Sequence, residues 1–149
     1  MSGLQREPLT LFIDLNSGGR TFRDLLVQGG LKVVLHDDVF PQTAADEDWL
    51  PAVGELGYVA ITGDKATTSL PLFIHRLARS KTFVFVLYGL NGASPEGKAR
   101  CVLTAYSTIS RLVRSNAPPG IWRIGRDGEG RRFDYARVLE RMHRSKRLQ

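Results

Sequence analysis

The chain of 149 residues has one cysteine, three histidines and no long apolar run, and each scarcity argues against a class of protein. A single cysteine, Cys101, cannot close an internal disulfide, so we expect a reducing compartment and no secreted scaffold. His36, His75 and His143 fall in different predicted elements without ligand spacing, which argues against a zinc site. No apolar segment approaches the roughly 20 residues that cross a bilayer. We therefore expect a cytoplasmic protein that does not contact the membrane.

Two catalytic motifs are also missing. The sequence has no Gly-Lys-Ser/Thr loop of the kind that binds nucleotide phosphates, and no Gly-x-Ser-x-Gly turn that presents a nucleophilic serine. These absences argue against an NTPase and a serine hydrolase. Cys101 is expected to be a small buried residue on a helix, because the nearest histidine, His75, belongs to another element.

Charge is unevenly divided along the chain, although the total is a moderate +6. Residues 1–75 carry five Lys/Arg and ten Asp/Glu, a net of −5, and residues 76–149 carry sixteen and five, a net of +11. An acidic half that holds a cation and a basic half that attracts a polyanion would suit a nuclease. The alternative is a basic tail that only keeps the domain in solution. Trp122 and Tyr88 are secondary candidates for stacking on bases, whereas Trp49 is expected in the core.

Short apolar segments alternate with helix-like segments, which predicts βαβ units around a mostly parallel sheet. The predicted strands are 9–13, 32–35, 58–61 and 82–87, with an edge strand at 121–124. The predicted helices are 20–28, 46–56, 70–79 and 96–115, and the predicted loops are 36–45 and 89–95. Pro51 is expected to kink the second helix or shift its start. The fold class is therefore α/β, as a three-layer α/β/α sandwich, with a domain over residues 1–126 and a basic tail or helix over 127–149.

Three acidic signals stand where a parallel sheet would bring them together. Asp14 follows Leu-Phe-Ile, Asp64 follows Val-Ala-Ile-Thr-Gly, and the cluster Asp46-Glu47-Asp48 opens the helix before the third strand. The carboxyl ends of parallel strands meet at one edge, and a right-handed crossover brings the helix start there too, so we expect the acids to converge. Successive helical residues point about 100° apart, so the whole cluster cannot face one ion, and we favour Asp46.

Carboxylates without a histidine or cysteine partner favour a hard divalent cation, such as Mg²⁺ or Mn²⁺. Such an ion activates water at neutral pH and offsets the charge of phosphate oxygens, which is the chemistry of phosphodiester hydrolysis. We therefore predict a phosphodiester-cutting site in which the metal ligands are Asp14, Asp46 and Asp64. Asp37 and Asp38 are candidates for an outer or a fourth ligand.

Each of these side chains also has an ordinary structural role open to it. Asp46 could cap the helix that it begins, and Asp64 could form a turn. Asp14 is harder to explain in this way, because a carboxylate that ends an apolar strand needs a partner or a metal. Lys65 is a further catalytic candidate, and Lys65 and Arg20 are candidates for contacts with RNA phosphates. The alternative for both cations is a solvated surface position.

The ordered set of these segments resembles the PIN-like domains of VapC-type bacterial toxins, from about Leu9 to Arg126. The segments that carry the resemblance are Phe-Ile-Asp14 with Gly-Gly-Arg20, Val-Leu-His36-Asp37-Asp38-x-Phe40-Pro41, Asp46-Glu47-Asp48-Trp49-Leu50 and Ile-Thr-Gly-Asp64-Lys65. The resemblance implies an α/β/α sandwich and a Mg²⁺- or Mn²⁺-dependent endoribonuclease. It also implies a cognate antitoxin protein that blocks the toxin and represses the shared operon. The family's acids fall on Asp14, Asp46 and Asp64.

The resemblance leaves several points open. The fourth acid of many PIN domains has no clear match, so Asp37, Asp48 or water would take its place. Such domains commonly pair, which implies a homodimer. A non-catalytic RNA- or protein-binding module of the same fold is the main alternative, with the acids as capping residues. A small-molecule phosphatase is disfavoured, because its second acid would stand where this chain has Asn16.

Overall fold

One six-stranded sheet organises the described part of the chain, in the order β2-β1-β3-β4-β5-β6. The computed structural model describes residues 8–14, 19–40, 46–63, 71–87, 90 and 92–132. The strands are β1 (Thr10–Ile13), β2 (Lys32–Leu35), β3 (Val59–Thr62), β4 (Phe83–Leu87), β5 (Gly120–Ile124) and β6 (Gly130–Arg132). Strands β1 to β5 pair in parallel, and β6 is antiparallel to β5. The predicted mostly parallel sheet is therefore confirmed.

Helices cover both faces of this sheet. Those within the described residues are α1 (Gly19–Gln28), α2 (His36–Val39), α3 (Asp46–Glu55), α4 (Pro71–Ala78) and α5 (Pro95–Ser115). On one face α1 and α5 bury side chains such as Phe22 and Val102, and on the other face α3 and α4 bury side chains such as Trp49 and Ile74. The arrangement is the predicted three-layer α/β/α sandwich.

The central strands are almost entirely apolar because both of their faces are buried. In β1, Leu11 and Ile13 face the α1 and α5 layer, while Phe12 between them faces the α3 and α4 layer. In β4, Phe85 and Val86 divide between the two layers in the same way. A strand covered on both faces has no polar side to alternate with. This burial explains why the strands appear in the sequence as short uninterrupted apolar runs.

The segment after β2 differs from the prediction of a loop over residues 36–45. Residues 36–39 form α2, a single helical turn. Asp38 Oδ2 accepts a hydrogen bond from the Leu35 backbone N–H at 3.4 Å, so this side chain caps the start of the turn. A one-turn helix held by a local cap has too few residues to show helical periodicity. Residues 41–45 lie outside the described part of the chain.

The prediction of an edge strand at 121–124 is wrong in its position. Strand β5 lies between β4 and β6, so among the described residues the edge is formed by β6. The Gly128 N–H donates to the Gly125 carbonyl at 3.0 Å, and Gly128 has a φ of +77°, which turns the chain back onto β5. The sheet thus continues past residue 126. Residues 133–149 lie outside the described part, so the predicted tail stays a prediction.

The structure tests what the sequence predicted for the helix that contains Pro51, and it shows the length of the last described helix. Helix α3 is continuous from Asp46 to Glu55, with Pro51 inside it, so the proline does not shift the predicted start. Helix α5 has 21 residues and carries cationic side chains such as Lys98 and Arg111. Among the described residues, no helix combines the length and the apolar character needed to cross a membrane.

Gly54 brings α3 close to the start of β4, and enlarging it should destabilise the fold. A Cβ at Gly54 would lie 2.6 Å from Thr82 Oγ1 and 2.8 Å from the Lys81 carbonyl carbon. The Thr82 hydroxyl is held there because it donates to the Leu50 carbonyl. We expect Gly54→Ala to lower the free energy of unfolding by about 1–3 kcal/mol. This range is the net loss, after the gain of about 1 kcal/mol that alanine brings to a helix. Urea denaturation measures the change.

Gly97→Ala in α5 is the matched control for that substitution. Its new Cβ would meet nothing closer than 3.5 Å, so helix propensity should dominate and stability should hold or rise. Equal stabilisation by both substitutions would contradict the close contact at Gly54.

Candidate active site at the carboxyl edge of the sheet

The order of the strands reverses direction between β1 and β3. Strand β2 lies on one side of β1, and the later strands extend from its other side. The chain leaves β1 towards α1 on one face and continues from β3 towards α4 on the opposite face. In open α/β sheets a crevice forms at such a point, outside the carboxyl ends of the strands, and ligands bind there. The residues at this point are Asp14, after β1, and Thr62 and Gly63, at the end of β3.

Asp14 is held by the neighbouring strand through both its backbone and its side chain. Its backbone N–H donates to the Ile61 carbonyl at 3.2 Å, which extends the pairing of β1 with β3. The Thr62 hydroxyl donates to Asp14 Oδ2 at 3.1 Å. The residue is only 4% exposed, and a carboxylate at that depth requires partners that stabilise its charge. Asp14 is therefore a buried carboxylate with a fixed orientation at the switch point.

Thr62 is the site residue that sequence reasoning missed. It is 1% exposed and ends a strand whose four residues are all buried. A signal was available, since Thr62 is the single hydroxyl residue in the run Val-Ala-Ile-Thr before the glycine. The parallel pairing that puts β3 beside β1 is what gives this hydroxyl a partner, and only the fold supplies that pairing.

The start of α3 lies near the end of β1. Trp49, in the first turn of the helix, contacts Phe12 with ring centroids 5.3 Å apart, and Phe12 precedes Asp14 by two residues. The backbone of Asp46, the first residue of α3, therefore lies on the same side of the sheet and towards the same edge. The side chain of Asp46 and those of Glu47 and Asp48 lie outside the described set. The choice of Asp46 as the ligand from this cluster remains a prediction.

Asp38, a candidate for an outer or a fourth ligand, has local structural contacts. Besides capping α2, Asp38 Oδ2 lies 4.0 Å from Arg23 Nη1 of α1. The Asp38 side chain is 45% exposed, so this ion pair adds little to stability. These contacts tie α2 to α1 on the border of the crevice. The side chain of Asp37 is outside the described set.

The structure confirms the prediction for Trp49 and contradicts the prediction for Trp122. Trp49 is 1% exposed, as expected of a core residue. Trp122 is 3% exposed and stacks on Phe85 with centroids 5.4 Å apart and planes 14° apart, so it is a core residue and not a platform for bases. The sequence did not reveal this because burial of Trp122 depends on β5 lying inside the sheet. Tyr88 lies outside the described residues.

The two predicted phosphate contacts differ in what the structure describes. Arg20 is the second residue of α1 and is exposed, and since α1 follows β1 directly its start lies at the carboxyl edge. Lys65, like Asp64, falls in the range 64–70, which the structure does not describe. Within the described ranges, no three His, Cys, Asp or Glu side chains form a group that could hold a metal. The predicted trio needs Asp64 and the Asp46 side chain, so the metal site stays a prediction.

The donor that is described fits a hard divalent cation in its chemistry. Asp14 offers a carboxylate whose Oδ2 is oriented by the Thr62 hydroxyl, and carboxylate oxygen is the ligand that Mg²⁺ and Mn²⁺ prefer. A hydrogen bond from a neighbouring residue to a ligating carboxylate is the usual way in which proteins orient such ligands. The described part of the site thus supplies one oriented carboxylate of the kind that such a cation prefers.

The described residues form a mostly parallel α/β/α sandwich with one buried carboxylate, Asp14, at its switch point. The class of protein is therefore an α/β domain with a candidate ligand site at the carboxyl edge of its sheet. A family model described as a PIN-like domain matches residues 9–89, which is more than half of the chain. The chain therefore belongs to the PIN-like domain family. Domains of this family are generally nucleases, so membership supports a nuclease-type module. Neither the curated proteins nor the solved structures contain a significant match to the chain.

The Thr62 hydroxyl should be required for the stability of the buried carboxylate. Thr62→Val keeps the shape of the side chain but removes the donor to Asp14, leaving a buried charge with one partner fewer. We expect a loss of about 1–3 kcal/mol in the free energy of unfolding. Thr62→Ser keeps the hydroxyl and should cost less than Thr62→Val. Urea denaturation of the two variants checks the order, and a larger loss for serine would contradict the role of the hydrogen bond.

Proposed function

We propose that this protein is a metal-dependent endoribonuclease. The observation that carries the proposal is the buried, oriented carboxylate of Asp14 at the strand switch point of a chain that belongs to the PIN-like family. A carboxylate is expensive to bury, so its position at the crevice favours a functional role over a structural one. The resemblance of the ordered motifs to VapC-type toxins supports RNA as the substrate.

In the proposed site, Asp14, Asp46 and Asp64 hold Mg²⁺ or Mn²⁺. When bound, such an ion lowers the pKa of a water ligand and offsets the negative charge of the phosphate. Thr62 keeps the Asp14 carboxylate in one orientation through its hydrogen bond at 3.1 Å. Arg20 and Lys65 are proposed to bind the phosphate oxygens on either side of the scissile bond.

The distribution of charge supports a polyanionic substrate. The three proposed ligands belong to the half of the chain with a net charge of −5, and the other half carries +11. Excess positive charge on the protein raises the local concentration of RNA, while the acids of the site would repel RNA that has no cation bound to it. Both halves are therefore needed for binding and cleavage together.

Cleavage of RNA by the purified protein tests the proposal. We expect total cellular RNA to give discrete fragments with Mg²⁺ or Mn²⁺ and to stay intact with EDTA. Asp14→Asn and Asp64→Asn should each reduce the rate at least about a hundredfold, because each removes a charged ligand of the ion. Circular dichroism should show that both variants keep the fold.

Asp24→Asn is the matched control for these substitutions. Asp24 lies on α1, its side chain is 59% exposed, and its neighbour Arg23 is its ion-pair partner. Its loss removes the same charge without touching the crevice, so cleavage should continue at the normal rate. Intact RNA under all metal conditions, from folded protein free of any inhibitor, would reject the nuclease and favour a binding module with structural acids.

We further propose that the nuclease acts as the toxin of a toxin–antitoxin pair. The resemblance to VapC-type toxins supports this role, and the role requires a cognate antitoxin protein that blocks the site. Induced expression should then arrest bacterial growth, whereas expression of Asp14→Asn should not. Co-expression of a neighbouring small gene should restore growth and bring its product down with the protein. Growth arrest that persists in Asp14→Asn would contradict a toxic activity at this site.

A further inference from the structure

A cavity of about 420 Å³ opens beside the start of α5, in the part of the chain that the family match does not include. Its polar and small lining residues are Ser94, Gly97, Arg100, Cys101, Thr104 and Arg126. The described lining also includes two apolar residues, Leu90 and Ala93. Among the described residues, this lining shares no member with the pair Asp14 and Thr62 at the switch point.

The cavity nevertheless lies along the same edge of the sheet. Leu90 and Ala93 follow β4, and Arg126 follows β5, so the lining residues gather beyond the carboxyl ends of these two strands. Neighbouring strands are spaced about 4.8 Å apart, and β4 is two positions from β1 in the sheet. The cavity is thus about 10 Å or more along the edge from Asp14. An extended single strand of nucleic acid would cover that distance with a short stretch of chain.

The lining of the cavity is cationic. Two arginines, Arg100 and Arg126, belong to it, and none of the described lining residues is Asp or Glu. Guanidinium groups bind phosphate through paired hydrogen bonds of fixed geometry, which makes arginine well suited to phosphate recognition. Glu96, in the first turn of α5, is exposed and outside the lining. Asp127, whose carboxylate acts on Cys101, is likewise outside the described lining, so the charge of that lining itself favours an anionic ligand.

The start of α5 contributes to the positive potential of the cavity through the helix dipole rather than through free backbone amides. Ser94 caps the helix, with its hydroxyl oxygen accepting from the Gly97 N–H at 3.1 Å, and its carbonyl accepts from the Lys98 N–H at 3.0 Å. These amides are thus in use. The positive end of a helix of 21 residues still faces the cavity and adds to the effect of the two arginines.

The Cys101 thiol adds no negative charge of its own to the cavity. Its thiol donates to the Gly125 carbonyl at 3.1 Å, which joins α5 to the turn that carries Arg126. Burial raises the pKa of the Cys101 thiol, and the nearby Asp127 carboxylate raises it further. The sulfur is therefore a neutral donor at physiological pH, and the hydrogen bond helps to fix the spacing of the two arginine-bearing segments.

The size of the cavity indicates more than a bare phosphate. Its volume falls in the range of 300–1,000 Å³ that is typical of sites for small organic ligands. A nucleotide would place its phosphate at the arginines and its sugar or base against Leu90 and Ala93. We propose that this cavity is a nucleotide subsite that binds one phosphate of the RNA strand away from the scissile bond. The proposal rests on the proposed nuclease function, because it assigns both sites to one substrate strand.

Binding of a short single-stranded oligoribonucleotide without added metal tests the subsite independently of cleavage. Arg100→Gln and Arg126→Gln should each weaken binding about tenfold. Each should also reduce the slope of log K against log salt by about 0.7, the value for one phosphate contact on a single strand. The matched control is Arg76→Gln. Arg76 is an exposed arginine in the last turn of α4, which leads to the amino end of β4 and so lies away from the carboxyl edge of the sheet. It should weaken binding less than twofold. Equal losses in all three variants, or no loss in any, would overturn the subsite.

Amide chemical shifts place the ligand. In the wild-type protein, the oligoribonucleotide and AMP should both shift the amides of Gly97 and Thr104, and inorganic phosphate should do so only at higher concentration. In the double variant of Arg100 and Arg126, these shifts should disappear. Shifts with AMP but none with the oligoribonucleotide would overturn a subsite for the strand. If both arginine variants cleave RNA at the normal rate and bind it with unchanged affinity, the subsite is rejected and the nuclease function is retained. If the protein binds RNA through these arginines but does not cleave it, only the nuclease function is rejected.

Discussion

The parallel pairing of β1 with β3 is the constraint on which the rest of the structure depends. It places two strands that are distant in sequence side by side, with Phe12 opposite Ala60 and Ile13 opposite Ile61. The same register brings the Asp14 N–H to the Ile61 carbonyl and the Thr62 hydroxyl to the Asp14 carboxylate. Because β2 lies on the other side of β1, this pairing also creates the reversal of strand order that opens the crevice. Fold and candidate site thus have one origin.

Burial on both faces makes that pairing stable enough to hold a charged group. The side chain of Phe12 faces the α3 layer, where it contacts Trp49 and Phe40. The side chains of Leu11 and Ile13 pack against the opposite layer. Apolar burial on this scale offsets the cost of one carboxylate held at 4% exposure. The carboxyl edge is the natural place for polar groups in such a sheet, since a strand that ends there lets its next residue reach the crevice while its own side chains remain in the core. The same edge carries the cavity beside α5, so one geometric feature supplies both proposed contacts with RNA.

The success of the sequence predictions depended on the length and burial of each element. The strands around Phe12, Ala60 and Val84 are uninterrupted apolar runs, and their alternation with helices predicted the sandwich correctly. The four-residue helix α2 and the three-residue strand β6 escaped detection, because neither is long enough to show a period and neither is an uninterrupted apolar run. The inner position of β5 was missed for the same reason, since its outer neighbour β6 was not recognised, and with it the burial of Trp122.

The sequence alone determined the fold class, the succession of strands β1 to β5 with the longer helices between them, and the position of Asp14 at the end of the first strand. These features follow from patterns of apolar residues, and each such pattern lies within one short segment of the chain. Only the tertiary structure decided that Thr62 is the partner of Asp14, that Trp122 belongs to the core, and that Arg100 and Arg126 line one cavity. Each of these contacts joins residues more than twenty positions apart, and no local pattern encodes such a distance. They arise when parallel strands and the helices between them pack into layers and bring the ends of those strands to one edge.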